Sequence, residues 1–202
     1  STKNSFFIEC KREGKLERFK NQISKAYEEG KLLENKFYER GNSRYVIVEG
    51  DTWEAAQANA VSLGGNLATI NDKEENDWIV EQLYGEGKAS ELLFEKLYIP
   101  VESERGRGQA IWLGHNDLKQ RGVYEAVSGE KNIYTNWMSG EPWDSQRADK
   151  STERYTMINL HNNGNRLGTV GGVADRQYNT QAIRDRGGAH IFYGLAEIKI
   201  ND

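Results

Sequence analysis

Apolar and small residues recur every three or four positions between Lys15 and Arg40, at Leu16, Phe19, Ile23, Ala26, Gly30, Leu33 and Phe37. On a background rich in Lys, Glu and Arg, that rhythm predicts one helical face. Gly30 costs about 1 kcal/mol relative to Ala in a helix interior, so the stripe reads as one helix or as two broken there. It has two readings, a helix docked on the rest of the chain or a short neck that dimerises or trimerises it. Gly41-Asn42-Ser43 closes the segment with turn residues.

A shorter rhythm follows. Tyr45-Val46-Ile47-Val48 predicts a strand. Asp51, with Glu54 three positions later, opens a helix carrying Trp53, Ala56, Ala60 and Leu63, and Gly64-Gly65 stops it. Leu67-Ala68-Thr69-Ile70 predicts a second strand. Asn71 to Glu74 repeats the capping pattern before a helix striped by Trp78, Ile79 and Leu83. Gly85 to Gln109 is looser, with a helix over Glu91 to Leu97. Gly85-Glu86-Gly87-Lys88 lacks the spacing of a phosphate loop. Short strands return at Ile111–Gly114, Val123–Val127, Tyr155–Ile158 and Phe192–Ile200. Gly164 to Gly188 reads as a polar, Gly-rich loop.

Composition narrows the function. The 202 residues, 37% of them hydrophobic, suffice for one domain with an appendage. Lys+Arg 27 against Asp+Glu 31 gives a net charge of -4, which removes the electrostatic case for nucleic acid. No apolar run approaches the ~18 residues that span a bilayer. The single Cys10 excludes an internal disulfide and every multi-Cys zinc motif. His115, His161 and His190 show no metal-ligand spacing, and no Gly-x-Ser-x-Gly elbow is present, so the chain reads as non-enzymatic. Asp117, near His115 at a presumed turn, reads as a cap for backbone amides.

Several ordered motifs together resemble the C-type lectin-like domain. They are Thr52 to Ala56, Leu63-Gly64-Gly65-Asn66-Leu67-Ala68-Thr69-Ile70, Glu74 to Asp77, Ile111-Trp112-Leu113-Gly114, Tyr134 to Pro142, and Gly194 to Ile198. The resemblance covers about 43–200. It implies an α+β fold of two helices and two small antiparallel sheets with a long irregular loop region. Residues 1–42 would form an N-terminal helical segment, and 43–202 the lectin-like domain with an insertion at about 85–109. It places Trp53, Trp78, Trp112 and Trp137 in the core. Without the two disulfides of animal members, the chain looks like the disulfide-free bacterial or phage type.

Family lectins hold sugar through Ca²⁺, which takes six to eight oxygen ligands. Against the family's loop pattern, Glu141-Pro142-Trp143 keeps the Glu and replaces a carboxamide with Trp; Glu153 matches the next acid. Ala174-Asp175 keeps the Asp and loses a second carboxamide. Glu141, Glu153 and Asp175 are therefore the candidate metal ligands, with Ca²⁺ the candidate cofactor and Asp144 and Asp149 as spare oxygens. Trp143 reads either as a stacking face for a sugar or partner or as a core filler. Arg176 and Tyr178 are further candidate ligand contacts, from a stretch whose Arg residues suit acidic groups. The expected function is a lectin-like extracellular recognition module for a glycan or surface protein, at a cell or virion surface, without membrane insertion. The alternative is a calcium-independent protein-interaction or structural module of a bacterial surface or phage virion, with homo-oligomers through the N-terminal helix.

Overall fold

The computed structural model describes residues 2–84, 88–96, 110–137, 154–159, 181–184 and 191–200. Helix α1 (Thr2–Glu28) starts earlier and ends sooner than its periodicity predicts. Gly30, at φ 73°, takes the left-handed conformation that Gly adopts at least cost. Its N–H donates to the Tyr27 carbonyl and that of Lys31 to the Ala26 carbonyl, closing the helix with a Schellman-type turn. Leu33 and Phe37, expected on the same helical face, instead lie beyond it on an irregular segment. There the Leu33 N–H donates to Ile47 O at 3.0 Å.

The second half of α1 is docked. Phe19, Ile23 and Ala26 are buried in the core against Val46 and Val48. The Arg44 guanidinium lies 4.5 Å from the Phe19 ring centroid. The first half projects, with residues 8–13 exposed. Strands β1 (Tyr38–Arg40) and β2 (Ser43–Glu49) pair antiparallel, so residue 42 sits inside a hairpin and the segments on either side of it share one core.

Helix α2 (Trp53–Ser62) is capped by Thr52, whose hydroxyl accepts the Ala55 N–H; the cap is one residue later than the Asp51 pattern suggests. Helix α3 (Lys73–Leu83) is likewise capped by Asp72 instead of Asn71, and Glu75 reaches back to accept the Asn71 N–H at 2.8 Å. Ile79 and Leu83 are buried. Helix α4 (Ala89–Lys96) begins two residues before its expected start. The remaining strands are β3 (Asn66–Leu67), β4 (Ala110–Gln120), β5 (Val123–Ala126), β6 (Tyr155–Asn159), β7 (Gln181–Arg184) and β8 (Tyr193–Lys199). His115 and Asp117 thus lie within a strand, not at a turn, and β7 occupies part of the stretch expected as loop.

Among the described residues the strands form one eight-stranded sheet in the order β1-β2-β8-β4-β6-β7, with β3 on β8 and β5 on β4. The two small antiparallel sheets are present as its halves, joined by a parallel pairing of β4 with β8 at Trp112 and Gly194. Trp112 and Trp53 are buried, while Trp78 and Trp137 are half-buried.

Ile23 is 1% exposed, so an Ile23→Asp chain must bury an unpaired charge or release α1. Urea unfolding should show a loss of about 3 kcal/mol or more. Lys11→Asp, on the projecting half, should change stability by less than about 0.5 kcal/mol.

Candidate functional site

The residues singled out for binding, Glu141, Trp143, Asp144, Glu153, Asp175, Arg176 and Tyr178, all lie outside the described residues. What the fold supplies is the frame from which those segments depart. Residues 127–137 are laid along the strand that follows α2. The Tyr134 N–H donates to Ile70 O at 2.7 Å, the Asn71 carboxamide donates to Asn132 O at 2.7 Å, and the Thr69 and Ser128 hydroxyls are 3.0 Å apart. At the end of this run the Trp137 ring packs on Tyr124 of β5, with centroids 5.1 Å apart.

The chain returns at Arg154, and there it is clamped. Arg154 Nε donates to Asp117 Oδ1 at 2.6 Å, and its terminal guanidinium nitrogen donates to the Asp117 carbonyl. Asp117 N–H in turn donates to Arg154 O at 3.2 Å, and Asp117 Oδ2 accepts the Gly122 N–H at 2.7 Å. The Asp117 side chain is 1% exposed. Its carboxylate does cap a backbone amide, as the sequence suggests, but its larger role is to pair with a cation 37 positions on. Nothing in the local sequence announces that partner. Both ends of the segment 138–153 are therefore rooted on the β4–β5 hairpin, one by ring packing and one by a buried ion pair.

Tyr155, the next residue, stacks on Trp53 with centroids 4.9 Å apart and donates to Glu54 Oε1 at 2.9 Å. The register of β6 with β7 then decides which acids leave the same end of the ladder. Tyr155 pairs with Arg184 and Ile158 with Gln181. In sequence Glu153 precedes Tyr155 by two residues and Asp185 follows Arg184 directly, and both lie outside the described residues. Asp175 stands six residues before Gln181 in sequence and on the other side of β7 from Asp185. Asp185 is thus a candidate that motif matching passed over, because it requires knowing where β7 lies.

His115 is a core group. Its Nε2 accepts the Ile70 N–H at 3.1 Å, and burial pushes its pKa down to about 4, against the opposing pull of Glu130. It is a neutral acceptor at neutral pH. Among the described residues no three His, Cys, Asp or Glu side chains are grouped to hold a metal ion, and no helix is long and apolar enough to cross a membrane.

The fold, with its two capped helices, long-loop roots and closing strand β8, is the C-type lectin-like fold. The mouse scavenger receptor C-type lectin carbohydrate-recognition domain superposes with a TM-score of 0.53 at 16% identity, covering 82% of this chain and 96% of that one. Residues 49–166 match the family model of the lectin C-type domain, and the chain belongs to that family of non-catalytic lectin domains. A perlucin-like protein of Mytilus galloprovincialis is 27% identical over 109 residues, 54% of this chain and 58% of that protein. The galactose-specific lectin nattectin of Thalassophryne nattereri is 29% identical over 90 residues, 45% of each. The chain spans about half the length of these two relatives. All three matches are animal proteins, and none speaks for a bacterial or phage origin.

Two outcomes are expected from this frame. Arg154→Ala leaves Asp117 buried without its cation and should cost about 3 kcal/mol or more in urea unfolding, whereas Asp117→Ala added to it should recover part of that loss. For His115, the unfolded chain binds a proton below about pH 6.5 and the folded chain only near pH 4. Folding stability therefore falls as pH drops through that window, by up to about 3 kcal/mol. A thermal-midpoint series from pH 7 to pH 4 should show the decline, and His115→Gln should flatten it.

Proposed function

We propose that this chain is an extracellular lectin-like module that binds a glycan or comparable surface ligand through the segments rooted at Trp137–Arg154 and on β7. The observation that carries this reading is the clamped root. A segment bearing Glu141, Trp143, Asp144 and Glu153 is held at both ends on one rigid hairpin, which lowers the entropy cost of ordering it around a ligand. Trp143 offers a ring face for a sugar, the acids offer acceptors for hydroxyl groups, and Arg176 and Tyr178 add donors. The sugar named for nattectin makes a galactose-terminated glycan the first to try. Residues 1–42 serve in this reading as a docking segment, supported by the burial of Phe19, Ile23 and Ala26, and 43–202 as the lectin-like domain with its insertion at about 85–109.

C-type lectins commonly bind Ca²⁺, and the donor chemistry here fits in part. Glu141 and Glu153 supply hard carboxylate oxygens, and Asp175 or Asp185 supplies a third acid. When bound, the ion would anchor vicinal sugar hydroxyls. Both family carboxamides are absent, replaced by Trp143 and Ala174. That loss supports the second reading, a calcium-independent protein-interaction or structural module of a bacterial surface or virion. A chain with one cysteine, exposed and far from the domain core, accords with it, as does the projecting half of α1, where Ile8 is 66% exposed. In that reading α1 also links copies into an oligomer.

The thermal midpoint in EDTA and in millimolar Ca²⁺ separates these readings. An ion at a hundredfold excess over Kd adds about 2.7 kcal/mol, or roughly 5–10 °C for a chain of this size. Glu141→Ala or Glu153→Ala should abolish the shift, and comparing Asp175→Ala with Asp185→Ala identifies the third acid. Glycan-array binding lost in Trp143→Ala supports the lectin reading with or without the ion. An array with no binding in either buffer overturns it in favour of a protein partner, with sedimentation equilibrium then reporting the oligomer.

A further inference from the structure

A groove of about 350 Å³ lies between α1 and the segment that follows its Gly30 turn, lined by Lys20, Ile23, Ser24, Asn35, Lys36 and Phe37. It is outside the family-matched residues 49–166 and away from the loop roots. Its floor is apolar and fixed: Ile23 is 1% exposed, and Phe37 is held edge-on against Phe19 with centroids 5.1 Å apart. Ser24 and the Asn35 carboxamide form a hydrogen-bonded pair at its side, at 3.2–3.3 Å, on the solvent-exposed surface. Two lysines stand on opposite walls, one from the helix and one from the loop. Among the described residues, the one carboxylate Lys20 meets is that of exposed Glu17, at 3.7 Å. Lys36 lies 4.7 Å from the Tyr38 ring centroid and has no carboxylate partner among the described residues.

We propose that this groove is a second binding site, for an acidic sugar unit. Two ammonium groups, Lys20 in a long, exposed pair with Glu17 and Lys36 without a carboxylate partner among the described residues, form on a chain of net charge -4 a local positive site that one anionic group would satisfy. The neighbouring hydroxyl and carboxamide supply both donors and acceptors, the complement that vicinal sugar hydroxyls require. An aromatic and aliphatic floor matches the C–H face of a ring. The volume sits at the lower end of the roughly 300–1,000 Å³ of small-ligand sites, which suits one compact ring and neither an acyl chain nor a peptide strand. The site stands apart from the long-loop reading and survives its failure.

Titration calorimetry of the full chain with trigalacturonate at low ionic strength tests this. The expected result is saturable binding that weakens at least tenfold in Lys20→Glu/Lys36→Glu, the scale of a lost charge-assisted contact. Asn35→Ala should weaken it as well. All these positions are exposed, so the thermal midpoint should hold. Glu141→Ala/Trp143→Ala should leave the affinity unchanged. The proposal is overturned by absent binding, by equal binding of the neutral galactose trisaccharide, or by equal binding of hexa-aspartate. It is also overturned if the Glu141/Trp143 variant loses the sugar, which would assign that binding to the long-loop site.

Discussion

The close meeting of three backbones around Leu67 governs the rest of the molecule. Leu67 is fully buried and pairs with Ala196 of β8, while the Gly114 N–H donates to Ala68 O at 2.8 Å. A Cβ on Gly194 would stand 2.5 Å from Leu67 Cδ2 and 3.0 Å from Ala56 Cβ, and one on Gly114 would intrude on the Leu67 carbonyl. Any side chain at either position drives α2 and β3 away from the sheet. That movement would separate Trp112 from Gly194, the one register pair through which β4 and β8 join the two antiparallel halves. Trp53 then depends on the same joint: its indole N–H donates to Leu113 O at 2.7 Å, and its ring carries Tyr155. The root of the candidate site is thus two contacts away from the glycines.

A second, polar constraint holds α3 to the sheet. The Tyr45 hydroxyl donates to Glu75 Oε1 at 2.5 Å and lies 3.3 Å from Glu197 Oε1, which also accepts from Ser43 at 2.6 Å and pairs with Lys199. Burial holds the Glu75 carboxyl above its ordinary range, against the lowering effect of the Tyr45 and Asn71 hydrogen bonds. Burial, followed by the charge of Glu197, drives the Tyr45 phenol well above its own. Lys199 is shared with Glu130 at 3.2 Å, which ties the network to the turn after β5. Buried charge is costly unless every partner is present. A network closed in this way fixes the angle of α3 where a purely apolar contact would let it slide.

The fold was legible where chemistry is local. The LGGNLATI stretch carries a helix stop and a short buried strand, and Ile111-Trp112-Leu113-Gly114 carries the central strand, because each is determined by neighbours in sequence. The stripe over 15–40 misled beyond Gly30: a left-handed glycine ends the helix, yet Leu33 still finds the core from an irregular segment, so burial persists while periodicity changes meaning. Strand β7 was not legible, since Gln-Ala-Ile-Arg has little strand character and forms by pairing with β6. The Asp117–Arg154 clamp was equally hidden, because an ion pair across 37 positions leaves no mark on either segment.

That hidden clamp bears on how the binding surface should be understood. The fold alone does not choose a ligand, and the candidate residues Glu141, Trp143 and Glu153 stand in a segment whose described flanks are Trp137 and Arg154. Where such a segment is tied only by its ends, the firmness of those ends sets how much order a ligand must impose. Trp137 on Tyr124 is a ring-packing contact between two half-buried side chains, without the directionality of a hydrogen bond. Arg154 and Asp117 share three directional hydrogen bonds, and the buried Asp117 carboxylate accepts a further one from the Gly122 N–H. In sequence Glu153 stands next to the clamp at Arg154, and Glu141 and Trp143 stand four and six residues past Trp137. The two described roots therefore differ in kind, a ring contact at one end and a buried ion pair at the other, and that difference is what the frame contributes to any segment built between them.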